Sequence, residues 1–260
     1  MVADFVSVDY GWLRSIDGSK STSVLFKAGK NREGYFTNSD IVEHATSTMN
    51  ILEQDYSDED HVFVFNNATT HQKQEEESLS ATKMPKSSKE WGIVTDELDE
   101  DCNKVHSSDG KVLKMTVRMG DAKFANGTPQ ALYYPRGHLH EGLFKGMAEI
   151  LVERGFTHAH RLNAQCKNFK CRRDTTDCCC RRLLYTQPDF VNVSSILEKH
   201  CRWRGFHVLF LPKFHCELNF IERCWGFSKR LYCQSPPSSK EVDLERNLVT
   251  ALDSVPLETM

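Results

Sequence analysis

Short apolar runs separated by long polar stretches organise this chain. The opening MVADFVSVDY alternates and is rich in valine and phenylalanine, which predicts a strand over residues 1–8. Ser15-Ile16-Asp17-Gly18-Ser19 carries turn chemistry and Ser23 to Phe26 reads as a second strand, so the two form an expected hairpin. Thr37, Asn38 or Ser39 can cap a helix running to about Tyr56, with Ile41, Ala45, Met49 and Ile51 or Leu52 as its apolar face. His61 to Phe65 (HVFVF) is a short continuous apolar run, the pattern of a strand covered on both faces. A polar helix is expected over Thr69 to Ala81.

Residues 83–110 are acidic and poor in large apolar side chains, which predicts a loop. Lys111 to Arg118 reads as a strand. Leu139 to Arg154 has Leu143, Met147, Ile150 and Leu151 at helical spacing, and Val193 to Arg202 reads as a further helix. His207 to Leu211 is a second short apolar strand stopped by Pro212, followed by a helix from about Glu217 to Tyr232. Beyond Pro236-Pro237, the run Ser238-Ser239-Lys240-Glu241 has the form of a capping box for a last helix to about Asp253. The expected class is α/β, interrupted by a long cysteine-containing insertion.

Composition narrows this picture little. A hydrophobic content of 39% is ordinary for a folded chain. No apolar run approaches the roughly 20 residues needed to span a bilayer, so a soluble protein without a membrane partner is expected. The N-terminus lacks the basic-then-apolar layout of a signal peptide, and the abrupt opening on a strand pattern suggests part of something longer. Net charge is −3, which gives no global support for nucleic-acid binding. Locally, however, Lys167, Lys170, Arg172, Arg173, Arg181 and Arg182 fall in one stretch, with Arg202 and Arg204 further on. They read either as a solvated loop or as phosphate contacts. Ten cysteines without a signal peptide point away from disulfides. Five of them, Cys166, Cys171, Cys178, Cys179 and Cys180, cluster, which in a reduced compartment means a metal site or free thiols. Cys166, Cys171, Cys178 and Cys180 are the ligand set expected for a structural Zn²⁺, with His158, His160 or His200 able to supplement it.

Acidic and amide side chains mark a second centre. Asp4 shares its strand face with Val2 and Val6, and Asp9 at the strand's end is the alternative; an edge charge facing solvent is the plain reading. Asn66 closes HVFVF, and ligands gather outside the carboxyl ends of strands in open α/β sheets, although Asn-Asn-Ala-Thr is also a good cap. Glu222 lies on the edge of an expected buried stripe of Leu218, Ile221 and Trp225. Carboxylates brought together repel, and a divalent cation is the usual compensation. Two such ions can activate a nucleophile and stabilise the leaving oxygen in phosphodiester transfer.

The segment VFVFNNATTH, Val62 to His71, resembles the second catalytic block of Tc1/mariner-type transposases, where a strand ends in Asp-Asn-Ala and a histidine follows. LPKFHCELNFIERCWG, Leu211 to Gly226, resembles their third block. Across nearly all 260 residues the chain is similar to the DDE-superfamily endonucleases abundant in mushroom-forming fungi, in which MVADF, KMPK and CCCRR recur. The resemblance implies an RNase H-like mixed sheet flanked by helices, with 1–82 as the first part of the core, 83–205 as the insertion and 206–260 as its end. It implies a catalytic set at Asp4, Asn66 and Glu222, Mg²⁺ or Mn²⁺ on Asp4 and Glu222, DNA (transposon ends or target) as partner, and a nuclear location. It leaves room for a homodimer.

Two departures matter. Asn66 stands where the family has aspartate, and an amide lacks the charge that holds the metal, so little or no strand cleavage is expected. The long interval between Asn66 and Glu222 requires the insertion. The helix-turn-helix DNA-binding region expected upstream of such a core is absent, so site-specific recognition of transposon ends is not expected. Other readings are a non-catalytic DNA-binding protein using residues 167–182, a relic without present function and, last, a zinc hydrolase, for which no HExxH-type site is present.

Overall fold

The structure is a computed structural model that describes residues 1–82, 84–100 and 104–260. From the N-terminus run β1 (Val2–Ala3), β2 (Val6–Ser7), β3 (Gly11–Trp12), β4 (Val24–Leu25), helix α1 (Asn38–Asp55) and β5 (Val62–Phe65). Next come β6 (Ile93–Asp96), β7 (Lys114–Val117), β8 (Ala122–Lys123), β9 (Pro129–Gln130), α2 (Met147–Glu153), α3 (Cys180–Tyr185) and α4 (Pro188–Val191). The chain closes with α5 (Ile196–Trp203), β10 (His207–Phe210), α6 (Ile221–Tyr232) and α7 (Glu241–Asp253). The class is mixed α/β, and the strands pair as five two-stranded ladders. The chain divides into one compact unit of residues 1–73 with 194–260 and a second of residues 74–193.

In the first unit β5 and β10 pair in parallel, with Phe65 opposite Phe210, and Leu211 continues the ladder by donating to the Phe65 carbonyl at 3.0 Å. Both strands therefore release the chain at the same edge. β1 pairs antiparallel with β4, as expected for the N-terminal hairpin, while β2, the second piece of the expected 1–8 strand, pairs with β3 instead. α1 starts where Thr37 and Asp40 cap each other's backbone amides, and it buries Ile41, Ala45, Thr48, Met49 and Leu52 at helical spacing. α5 repeats the device with Ser195 and Glu198 and buries Leu197 and Cys201. These faces meet Phe63, Phe65 and Phe206 in one core, and Phe5 lies 5.2 Å from Phe63 and 5.8 Å from Phe65. A second cluster gathers under α6 and α7, where Trp12 stacks on Trp225 at 5.0 Å and donates to the Leu252 carbonyl.

The second unit is built on Phe144, Met147, Ile150, Leu151 and Leu184, all fully buried. β6 and β7 pair antiparallel, as do β8 and β9. Arg154 grips Asp189 with two bonds of 2.8 and 2.7 Å and donates to Gln130 at 2.8 Å.

Several expected elements change. HVFVF is covered on one face only: Phe63 and Phe65 are buried while Val62 and Val64 are 56% and 37% exposed. The helix expected over Thr69–Ala81 is a series of turns, because residues 72–77 offer no apolar stripe to bury. The helix expected from Leu139 begins only at Met147. Gly146 has φ +89°, outside helical range, and a Cβ there would meet the Lys86 carbonyl oxygen at 2.5 Å. The loop expected over 83–110 contains β6; Lys83 and residues 101–103 lie outside the described residues. The helix expected from Glu217 starts at Ile221, after a 3₁₀ turn over Cys216–Leu218 that leaves Leu218 58% exposed and outside the buried stripe. Lys240, rather than Ser238, occupies the N-cap position of α7, without a side-chain cap bond, and Ser238 donates its hydroxyl to Asp243.

Candidate functional site

The parallel pairing of β5 with β10 brings together two chain exits that are distant in sequence. Asn66 follows β5 directly. After β10, Pro212 ends the strand and the turn over 213–220 carries the chain into α6, whose first turn holds Glu222. The Asn66 Nδ2 donates to Glu222 Oε1 at 2.9 Å. Asn219, itself buried, donates its Nδ2 to Asn66 Oδ1 at 3.2 Å. A carboxylate only accepts, so the amide must turn its N–H toward Glu222 and its oxygen toward Asn219. His71 Nδ1 donates to the Asn66 carbonyl at 2.7 Å, and burial pushes the His71 pKa below its ordinary value.

Asp4 occupies the break between β1 and β2 and is held differently. Its Oδ1 accepts from the Thr22 hydroxyl at 2.6 Å and the Phe5 amide at 2.8 Å, and its Oδ2 accepts from the Ser23 hydroxyl. Desolvation nonetheless raises its pKa above the ordinary carboxyl value. His44 donates through Nε2 to the Thr22 carbonyl at 2.6 Å, and burial lowers its pKa. Asp4 and Asn66 line the same cleft of about 710 Å³, whereas Glu222 does not. Asp9 also lines that cleft but is exposed beyond β2. The contact made is thus between Asn66 and Glu222, and neither aspartate bonds to that pair.

A divalent cation needs several oxygens turned toward a common point. Here the side of Asn66 that faces Glu222 is an N–H donor, and both Asp4 oxygens are engaged by Thr22, Ser23 and Phe5. The residues as they stand do not fit Mg²⁺ or Mn²⁺.

In the second unit Cys166, Cys171, Cys178 and Cys179 hold their sulfurs within 4.8 Å of one another, a group that could hold a metal ion. This corrects the expected ligand set by one position. Cys180 is turned into the core, where its thiol donates to the Ala159 carbonyl at 3.3 Å, and Cys179 stands in the cluster instead. Desolvation and the neighbouring Cys178 and Cys166 thiols push Cys171 up to about 12, and the bond to Cys178 raises Cys166. The three histidines are not in the group: His160 faces Glu149, His200 bonds Thr46 within the first unit, and His158 is exposed.

The basic residues separate into two kinds. Lys167, Lys170, Arg172 and Arg173 are exposed. Arg181 instead donates to the carbonyls of Ala81, Thr82 and Met84, and Arg182 to that of Thr175, so both serve the fold. Arg202 bonds Ser194, and Arg204 pairs with Glu53.

The sequence alone does not point to Asn219, Thr22 or Ser23, and it places Cys179 in the cysteine cluster without making it a ligand. Asn219 lies inside the ELNFIE run, Cys179 lies in the Cys178–Cys180 run, and Thr22 and Ser23 carry no local signal. Comparison with protein-family models, with curated proteins and with solved structures gives no match to this chain. No helix among the described residues is long and apolar enough to cross a membrane.

Proposed function

We propose that the first unit descends from an RNase H-like DDE transposase core and that Asn66, Glu222 and Asp4 are the remnant of its catalytic set, now without phosphodiester-transfer activity. The observation that carries this reading is the 2.9 Å bond between Asn66 and Glu222, at the shared edge of two parallel strands and supported by Asn219 and His71. Residues 156 positions apart have no local reason to meet there. The side-chain types are those of the two motif blocks, with the amide in place of the acid. An amide beside Glu222 satisfies the carboxylate by hydrogen bonding, which removes the electrostatic need for a cation.

Supercoiled-plasmid nicking in Mg²⁺ or Mn²⁺ tests the reading, and the unmodified chain is expected to yield no nicked product. Robust cleavage that disappears in Glu222→Gln contradicts the assignment of inactivity.

A second reading is favoured by the exposure of Lys167, Lys170, Arg172 and Arg173: retained DNA binding through phosphate contacts, without cleavage. A nuclear location follows from either reading, and a homodimer is compatible with both.

A further inference from the structure

We infer that Cys166, Cys171, Cys178 and Cys179 bind one Zn²⁺ as a closed tetrathiolate that holds the 166–179 segment against the start of α3. The inference does not depend on the reading of the first unit.

The geometry suits one small tetrahedral ion. Zn–S bonds of about 2.3 Å place the four sulfurs about 3.8 Å apart. In the structure all four sulfurs lie within 4.8 Å of one another, and those of Cys166 and Cys178 are 3.6 Å apart. Small side-chain adjustments therefore complete the tetrahedron. The donors are four sulfurs with no open position, the composition of a structural rather than a catalytic zinc site. The Arg182 amide donates to the Cys179 sulfur at 3.4 Å, the kind of outer contact that orients a thiolate ligand.

The segment also needs such a tie. None of residues 165–177 is buried, so no apolar core fixes it. Yet Asn168, Phe169 and Asp174 take φ values of 54°, 55° and 64°. For residues with a Cβ, such conformations are strained. Of the four described non-glycine residues with positive φ, three lie in this one stretch, between Cys166 and Cys178. Metal binding supplies the free energy that burial here does not.

Charge follows the same logic. Four thiolates and Zn²⁺ leave a centre of net −2. The run carries Lys167, Lys170, Arg172, Arg173, Arg181 and Arg182 against Asp174 and Asp177. Part of the positive charge that reads as a DNA face from the sequence alone therefore balances the metal centre.

The test uses the full chain purified with reductant and without chelator. Elemental analysis is expected to give one zinc per chain. Co²⁺ exchanged for zinc is expected to give an intense thiolate-to-metal band and the visible spectrum of a tetrahedral site. Alkylation mapped by mass spectrometry should protect Cys166, Cys171, Cys178 and Cys179, and chelator should raise their labelling rate by at least about tenfold. Cys179→Ser should lose zinc and Cys180→Ser keep it, which separates the cluster from the adjacent buried thiol. A folded zinc-free chain, a Cys166–Cys178 disulfide in the reduced preparation, or a Co²⁺ spectrum without thiolate bands overturns the inference. So does release of zinc by Cys180→Ser but not Cys179→Ser. Should Cys179→Ser fail to fold, the Co²⁺ spectrum and alkylation map of the unmodified chain still decide.

Discussion

Replacing Asn66 by aspartate changes one N–H donor into a charge beside the Glu222 carboxylate. Asn66 Nδ2 lies 2.9 Å from Glu222 Oε1, so Asn66→Asp loses a hydrogen bond to a charged group and gains a like-charge contact. The lost bond contributes about 1.5–3 kcal/mol. Two unit charges at that separation repel by about 6 kcal/mol at an effective dielectric of about 20 and by about 1.4 kcal/mol in bulk water. Both side chains are half-buried, and rotation with water entry moves the repulsion toward the lower figure. The expected loss of stability at pH 7.5 without metal is therefore about 3–4 kcal/mol. The sign with pH is fixed: two adjacent carboxyls raise the folded pKa of the pair, so the penalty is present above that raised value and shrinks as pH falls and one proton is shared. Millimolar Mg²⁺ should stabilise Asn66→Asp and leave the unmodified chain unchanged, because only the variant offers two anionic groups. Urea denaturation at pH 7.5 and pH 5, with and without Mg²⁺, measures all three effects. Equal stability of the two proteins at pH 7.5 in chelator, or a variant deficit that is the same at both pH values, refutes this electrostatic account.

Two further predictions concern the fold that carries the sites. Arg154 and Asp189 are 5% and 12% exposed at the side chain, so Arg154→Met strands a buried carboxylate and should destabilise the second unit by about 3–5 kcal/mol, with Arg154→Met/Asp189→Asn recovering much of the loss in chemical denaturation. Burial lowers the pKa of both His44 and His71, so the unfolded chain takes up these protons more readily than the folded one. Their contribution to stability is fully present above the ordinary histidine value of 6.5 and is lost as pH falls below it through the lower folded-state values; denaturation midpoints between pH 7.5 and 5.5 should decline, and His44→Gln with His71→Gln should flatten the decline.

What the sequence discloses follows from the range of the forces involved. The start of α1 is legible because Thr37 with Asp40 satisfies its amides within one turn; Ser195 with Glu198 does the same for α5, three residues after the expected start at Val193. β5 and β10 are legible as apolar runs, but their parallel pairing is not, and that pairing alone brings Glu222 to Asn66. Only the likeness of the two motif blocks ties those residues together beforehand. Asp4's partners Thr22 and Ser23 depend on how the N-terminal hairpin folds back, which composition does not encode. Choosing Cys179 over Cys180 requires knowing which face of a six-residue helix meets Ala159. The late start of α2 depends on the Lys86–Ser87 backbone lying against Gly146, a contact that helical periodicity ignores.

The central proposal is that the Asn66 amide beside Glu222 is what keeps the remnant set from phosphodiester transfer. Plasmid nicking in Mn²⁺ tests it most directly when the unmodified chain, Asn66→Asp and Asn66→Asp/Glu222→Gln are run side by side. No product from the first, product from the second and none from the third is the predicted outcome. Equal, Glu222-dependent cleavage by the unmodified chain would contradict it.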